Sequence, residues 1–307
     1  MGNHTNLSEL IDRYGDVLAQ FFNHISDMVF LMSVEGENRF RYVKMNPAAM
    51  RVAGLDERAY GKLIEEVYDG EKAQLLISKY QEAVLAGKPT SYIDHGSIIG
   101  ESILTPIFNT EGVCTHVFSV TRDITERKRL EDQLHHLAYH DMLTDLPNRR
   151  LLQELLHAAI ESARKQDDLL AVLYLDFDSF KSINDNLGHD MGDQFLQSIA
   201  KRLRNCVREN DILARLGGDE FIVVLTQIQS IREVTKIAQR IVQNLEQPWS
   251  FDNQPFTTTV SVGISLFPHD GETADLLLKQ ADTALYRAKK EGKNRYTWYD
   301  PSSIETE

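Results

Sequence analysis

The sequence predicts an α+β / α/β chain in two domains: an antiparallel sheet with helices, a helical linker, then an α/β domain. Three observations predict it. Residues 25–125 read as short strands, then helices, then an antiparallel hairpin. Residues 126–140 are charged and helical in spacing. From 141 to 303 the order is helix, strand, helix, hairpin, helix, strand, helix, an α/β sheet with helices mainly on one face. A length of 307 residues suits about two domains, and 42% hydrophobic residues can fill both cores.

The first stretch, residues 1–24, carries Leu7, Leu10, Ile11, Tyr14, Val17, Leu18, Phe21 and Phe22 at amphipathic helical spacing. Such a helix packs on the next domain or makes a dimer contact. Val29–Met32 and Phe40–Val43 read as strands flanking Gly36. Asn46-Pro47 starts a helix, because Asn accepts from free N–H groups and Pro at the first helical position loses no bond. A second helix over Glu71–Leu85 stops at Gly87. Strands at Ser102–Phe108 and Val113–Thr121 enclose the turn Asn109-Thr110-Glu111-Gly112.

In the linker, Leu130, Leu134 and Leu137 have coiled-coil spacing over barely two heptads. His136 and His140 stand four apart on it, a spacing that can hold a metal or simply mark a solvated face. In the last domain, Leu151–Ala163 is an amphipathic helix. Leu169–Leu175 is an almost continuous apolar run, as in a strand buried on both faces. Gly192-Asp193 opens a helix with Phe195, Ile199 and Leu203 on one face. Further helices cover Ile231–Leu245 and Ala274–Lys290. Between them Thr259–Leu266 alternates, with Val260, Val262, Ile264 and Leu266 on one side of a half-buried strand.

Chemistry concentrates at Ala214-Arg215-Leu216-Gly217-Gly218-Asp219-Glu220-Phe221, where two apolar runs meet at a Gly-led turn, the pattern of a β-hairpin. Adjacent acids at such a tip repel one another, and a divalent cation would relieve that repulsion. The buried strand ends in Asp176-Phe177-Asp178, so a carboxylate there could share the cation if the strands are neighbours. Mg²⁺ takes hard oxygen ligands together with waters and phosphates, and two ions between carboxylates and a nucleotide assist displacement at phosphorus. An exposed acidic turn beside a strand-end Asp is the other reading of the same residues.

Arg215-Leu216-Gly217-Gly218-Asp219-Glu220-Phe221 resembles the signature of GGDEF-domain diguanylate cyclases. Asp176–Asp185 with Gly188-His189-Asp190-Met191-Gly192-Asp193 resembles that family's first metal strand and nucleotide loop. Leu143–Arg150 resembles its opening segment, and Ala281–Lys289 with Gly292-Lys293-Asn294 its closing helix. Four ordered motifs span about half the chain. The resemblance implies a palm-like cyclase fold over residues 141–303. Residues 25–125, ending in Arg122-Asp123-Ile124-Thr125-Glu126-Arg127-Lys128, resemble a PAS sensor domain with its exit into an output helix.

The resemblance implies metal ligation by Asp176, the Phe177 carbonyl, Asp219 and Glu220, with Mg²⁺ as the ion and Mn²⁺ as the alternative. It puts Asn184 and Asp193 on the guanine edge, and Lys181, Lys289 and Lys293 on the triphosphate. The family often has Arg where Lys293 stands, so bidentate geometry is lost there. Gly217 and Gly218 allow close backbone approach to phosphate. The implied reaction condenses two GTP into cyclic di-GMP and two pyrophosphates across a homodimer. Lys181, Asp219 and Glu220 are the catalytic candidates, Asp219 as the base. Arg208 and Asp211 have the offset of the family's inhibitory product site; a helix-end ion pair is the plainer reading.

Acids outnumber bases 46 to 33, for a net charge of −13, which disfavours nucleic acid and anionic membranes as partners. No run is long enough to cross a bilayer and no leader pattern is seen, so a bacterial cytoplasmic location is expected. Cys114 and Cys206, the two cysteines, fit a reducing compartment. No Walker A pattern occurs. His95 and His116 are expected to be ordinary residues rather than haem ligands, and the sensor ligand is left open. The alternative function is a GGDEF receptor that binds cyclic di-GMP or GTP without turnover. An adenine or mixed-base cyclase is a further one. A phosphodiesterase is not expected, as little chain follows the cyclase-like part.

Overall fold

A computed structural model describes residues 7–36, 39–251 and 254–303. The chain divides into two compact units, Met1–Asp132 and Gln133–Glu307.

The first unit opens with α1 (Leu7–His24), as its spacing predicts, and leaves Tyr14, Val17, Leu18 and Phe21 exposed. Strands β1 (Met28–Glu35) and β2 (Arg39–Met45) follow, then helices α2 (Pro47–Ala53), α3 (Ile64–Val67) and α4 (Gly70–Ala86). Strands β3 (Thr90–His95), β4 (Ile99–Phe108) and β5 (Cys114–Asp123) complete an antiparallel sheet in the order β2-β1-β5-β4-β3. Asn46 is fully buried, accepting from Ala49 N and Val29 N and donating to the Ile25 and Asp27 carbonyls. One amide thus caps α2 and ties it to β1. Sequence reading missed β3. Only Tyr92 and Ile93 in it are strongly apolar, which is enough for an edge strand with one face covered.

The sheet and helices of this unit line a cavity of about 100 Å³. Neither His95 nor His116 reaches it, nor does Cys114. Helix α5 (Thr125–Tyr139) carries Leu130, Leu134 and Leu137 exposed.

In the second unit, α6 (Arg149–Gln166) precedes β6 (Leu169–Phe177), α7 (Phe180–Leu187) and α8 (His189–Arg204). The hairpin β7 (Ile212–Gly217) and β8 (Glu220–Ile228) leads to α9 (Ile231–Glu246) and the small ribbon β9 (Trp249–Phe251) and β10 (Gln254–Phe256). Strand β11 (Val260–Phe267), helix α10 (Ala274–Lys290) and strand β12 (Arg295–Trp298) end it. The sheet order is β12-β11-β6-β8-β7, antiparallel except for β11 with β12.

Helices cover both faces of this sheet, not mainly one as expected. Leu170, Val172 and Tyr174 pack with α6 and α10, while Leu173, Leu175 and Phe177 pack with α8 and α9. A strand apolar on both faces leaves no face for water, which is why β6 reads as a continuous run. The second face is an aromatic cluster: Phe195 meets Trp249 at 4.8 Å between ring centroids and Phe177 at 5.8 Å. Burial of each such ring contributes on the order of 2–3 kcal/mol.

Strand β11 is likewise buried on both sides rather than half-buried. Its second face is Ser261, Gly263 and Ser265, small residues that admit α10. A Cβ on Gly263 would stand 2.0 Å from the Ala281 carbonyl oxygen and 2.2 Å from Leu285 N. Two further corrections concern helices: α7 was not foreseen, and α8 opens at His189, so Gly192-Asp193 lie in its first turns instead of opening it. Among the described residues no helix is long and apolar enough to cross a membrane.

Candidate functional site

The site forms where β6 and β8 end together. In the antiparallel register Asp176 lies opposite Glu220 on one side and Ser261 on the other. The hairpin turn needs glycine: Gly217 has φ +141° and Gly218 φ +53°, conformations that strain other residues. That turn puts Asp219 immediately before Glu220, so three carboxylates gather at one sheet end. Lys289, near the C-terminus of α10, reaches Asp176 Oδ1 with its Nζ at 2.7 Å. The close seat of α10 on Gly263 sets that reach.

The electrostatics follow from this crowding. Burial, and then the neighbouring Asp176 carboxylate, push the Asp219 pKa up to about 6, with Glu220 adding to the effect. Tyr174, two residues before Asp176 on the same face, hydrogen-bonds Glu220. Burial, followed by the Glu220 and Asp282 charges, raises its phenol well above the usual range. The donor set is hard oxygen throughout and too negative for its surroundings, which fits Mg²⁺ or Mn²⁺. Among the described residues no three His, Cys, Asp or Glu side chains stand close enough to hold one ion. The carboxylates are gathered, and Lys289 is the cation that Asp176 now faces.

The remaining expected residues fall into two groups. Asn184 on α7 and Asp193 on α8 belong to consecutive helices joined at Gly188. The Asn184 side-chain oxygen lies so near Gly192 that a Cβ there would be 1.9 Å away, and Asp193 beside it is exposed. An amide and a carboxylate are therefore held on one helix pair. Lys181 is exposed at the start of α7. Lys293 is exposed in the turn after α10, with φ +62° and its N–H donated to the Ala288 carbonyl.

Arg208 and Asp211 are close, but both are engaged within the protein. Asp211 is 5% exposed, and its carboxylate accepts from Arg208 N at 2.8 Å and Thr226 N at 3.2 Å. The Arg208 guanidinium pairs with Glu233, whose other oxygen accepts from Gln229 N at 3.2 Å. On the linker, His136 and His140 stack at 4.3 Å, and His136 Nε2 meets Asp145 Oδ1 at 2.8 Å.

Sequence reading gave no role to three residues that shape the site. Arg215 is nearly buried; its Nη1 meets Asp141 at 2.7 and 2.9 Å, and its Nε and Nη2 donate to the Gly218 carbonyl at 3.0 and 2.7 Å. Thr144 also donates to Asp141 through its backbone N and its hydroxyl. Asp178 accepts from the Ser261 hydroxyl at 2.9 Å and Asn294 N at 3.2 Å, besides Thr259. It fixes the turn carrying Lys293. A buried acid two residues past Asp176, facing a Thr-Thr-x-Ser run, was the available signal.

Comparison with known proteins gives the family of each unit. Residues 138–295 match the family model described as "Diguanylate cyclase, GGDEF domain", and residues 22–129 match one described as "PAS fold". The diguanylate cyclase TpbB of Pseudomonas aeruginosa is 42% identical over 169 residues, 54% of this chain and 39% of TpbB. A solved structure of its GGDEF domain has a TM-score of 0.52 at 40% identity, covering 53% of this chain and 95% of that one. MucR of the same organism, a bifunctional diguanylate cyclase and cyclic di-GMP phosphodiesterase, is 41% identical over 178 residues, 58% of this chain and 26% of MucR. The coiled coil and GGDEF domain of DgcB from Caulobacter crescentus, solved with c-di-GMP, has a TM-score of 0.51 at 27% identity, covering 56% and 93%. The chain spans about a fifth to two fifths of the curated relatives it matches.

Proposed function

The chain belongs to the GGDEF diguanylate cyclase family, and from that premise we propose that it condenses two GTP into cyclic di-GMP and two pyrophosphates. The observation that carries the reading is the register of Asp176 against Glu220, with Asp219 next in the turn and Lys289 within 2.7 Å of Asp176. Carboxylates of this kind have little purpose at a sheet end unless they hold cations and phosphate.

Asp176, the Phe177 carbonyl, Asp219 and Glu220 are the residues that would hold Mg²⁺ or Mn²⁺; when bound, such an ion neutralises phosphate charge and acidifies the attacking hydroxyl. The protein's own groups do the rest. Asn184 and Asp193 hold the guanine edge, the carboxylate pairing with donors that adenine lacks. Lys181, Lys289 and Lys293 neutralise the triphosphate, and Gly217 and Gly218 let the chain approach it. Asp219 takes the proton from the 3′-hydroxyl that attacks the α-phosphorus of the second GTP. Each domain holds one nucleotide, so two copies face one another and the reaction requires a homodimer. The PAS domain regulates turnover through α5, in the bacterial cytoplasm, and cyclic di-GMP at Arg208 and Asp211 inhibits it.

Incubation with GTP and Mg²⁺, with separation of the nucleotides, tests the reading. Cyclic di-GMP from the parent but not from Asp219→Asn or Glu220→Gln supports it. A receptor without turnover is the second reading. Binding of GTP with no product at high protein concentration, with or without sensor ligand, would select it.

A further inference from the structure

We propose that the cavity of the PAS unit is a binding site for a small zwitterion, an α-amino acid with an apolar side chain of about four heavy atoms. The proposal deepens the reading of this unit as a sensor. It rests on the cavity's charges and hydroxyls, each of which has a place to fill.

Two opposite charges line the cavity and neither is paired. Lys72 and Asp94 both line it, yet among the described residues neither takes part in an ion pair, with the other or with any third group. Lys72 Nζ rests instead over the Tyr68 ring, 4.2 Å from its centroid. Asp94 sits near enough to Tyr68 and Tyr92 to raise both phenols, after burial, which is the larger cause. Opposite unpaired charges around one space fit a molecule that carries both signs itself.

The anionic end has further donors waiting. Tyr42 is 5% exposed and lines the cavity, and among the described residues its hydroxyl has no hydrogen-bond partner. The other phenols have partners: Tyr80 bonds Ser119, and Tyr92 bonds Ser102, which in turn meets Thr121 at 2.7 Å. A hydroxyl that opens onto the cavity without a protein partner is a donor that an acceptor on a ligand can take. Tyr68 and Lys72 flank the start of the 17-residue helix α4, whose N-cap Asp69 makes no side-chain cap. Free N–H groups at a helix start favour an anion there as well. A carboxylate takes these donors, and an ammonium takes Asp94.

The body of the ligand is set by what remains. Phe30, Ile64, Leu76 and Ile98 supply apolar lining. A cavity of about 150 Å³ can hold benzene, so about 100 Å³ takes the side chain of valine, leucine or methionine alone, with the charged end of the ligand at the mouth, where Lys72 is exposed and Asp94 half-buried.

Isothermal titration of the full chain with L-valine, L-leucine, L-isoleucine and L-methionine tests this. At least one is expected to bind. For leucine, the comparison probes are 4-methylpentanoate, which lacks the ammonium, and L-leucinamide, which lacks the carboxylate. Each is expected to bind at least tenfold more weakly. Asp94→Asn should weaken leucine about tenfold and leave 4-methylpentanoate unchanged. Lys72→Gln, at an exposed position that tolerates change, should weaken leucine and leave leucinamide unchanged. No binding of any of the four amino acids overturns the proposal, as does 4-methylpentanoate or leucinamide binding as tightly as leucine. Turnover of GTP by the same samples is read separately: binding without a change in rate overturns regulation by this unit and leaves the binding site standing.

Discussion

Arg215 and Asp141, 74 residues apart, form a nearly buried ion pair whose guanidinium also holds the Gly218 carbonyl. The pair joins the chain segment entering the domain to the turn that presents Asp219 and Glu220. Arg215→Ala leaves the half-buried Asp141 without its partner, which should cost about 1.5–3 kcal/mol in urea unfolding. Arg215→Lys keeps the charge but loses the fork, so stability should fall by about 1–2 kcal/mol while turnover falls further. Equal stability of parent and Ala variant would remove the structural role.

The same pair predicts a pH dependence. Burial draws the Asp141 carboxyl upward, but hydrogen bonds from Thr144 and Arg215 outweigh it and hold the pKa below its usual value. A depressed folded pKa contributes stability that is complete above the unfolded value, about 3.9, and is lost as pH falls through the folded one. The stability gap between the parent and Asp141→Asn should therefore be constant at neutral pH and close only below about pH 4.

Asp219 works in the opposite sense. Its folded pKa of about 6 lies above the unfolded value, so the native state binds the extra proton between about pH 4 and 6 and loses stability as pH rises through that window. A divalent ion competes with that proton. Mg²⁺ should raise the melting temperature more at pH 7 than at pH 5, and Asp219→Asn should flatten both dependences. The same Mg²⁺ shift at both pH values in the parent would refute this.

Gly192 is predicted to set the nucleotide contact. A methyl group there would displace the Asn184 side chain, 1.9 Å from the new carbon. Gly192→Ala should raise KM for GTP about tenfold and change kcat much less, a split that steady-state kinetics reads directly.

Glu233 competes with any ligand for Arg208. Glu233→Gln keeps an acceptor for Gln229 N, so the start of α9 should survive, but releases the arginine. An exposed pair of this kind contributes about 0.2–1 kcal/mol, so half-inhibition by cyclic di-GMP should come at about 1.4- to fivefold lower concentration. Arg208→Ala should raise that concentration. Unchanged inhibition in both variants would show that product acts elsewhere.

What was legible in the sequence follows the range of the interactions. Asp219, Glu220 and Gly217 sit in one contiguous turn, and the continuous apolar run before Asp176 marks a strand covered on both faces. Asp141 with Arg215, and Asp178 with Asn294, are partners only after the sheet is assembled, and no local spacing links them. Strand β12 has just four residues and pairs in parallel across a helix, so no hairpin signal precedes it. The small face of β11 looked like solvent because Ser and Gly read as polar or neutral. Their size, not their polarity, was the message.

The pairing of β6 with β8 is irregular only between Leu169 and Ala171, opposite Leu225 and Ile228, where Gln227 has φ +52°. That irregularity gives the strand pair one slack end and one fixed end. Side chains alternate between faces, so one residue gained or lost at Ile222 would invert the strand and send Glu220 toward the aromatic cluster. The same change beside Gln227 is taken up where the ladder already gives. Tolerance to insertion along these nine residues should thus rise with distance from the acids, a gradient that a scanning library would trace.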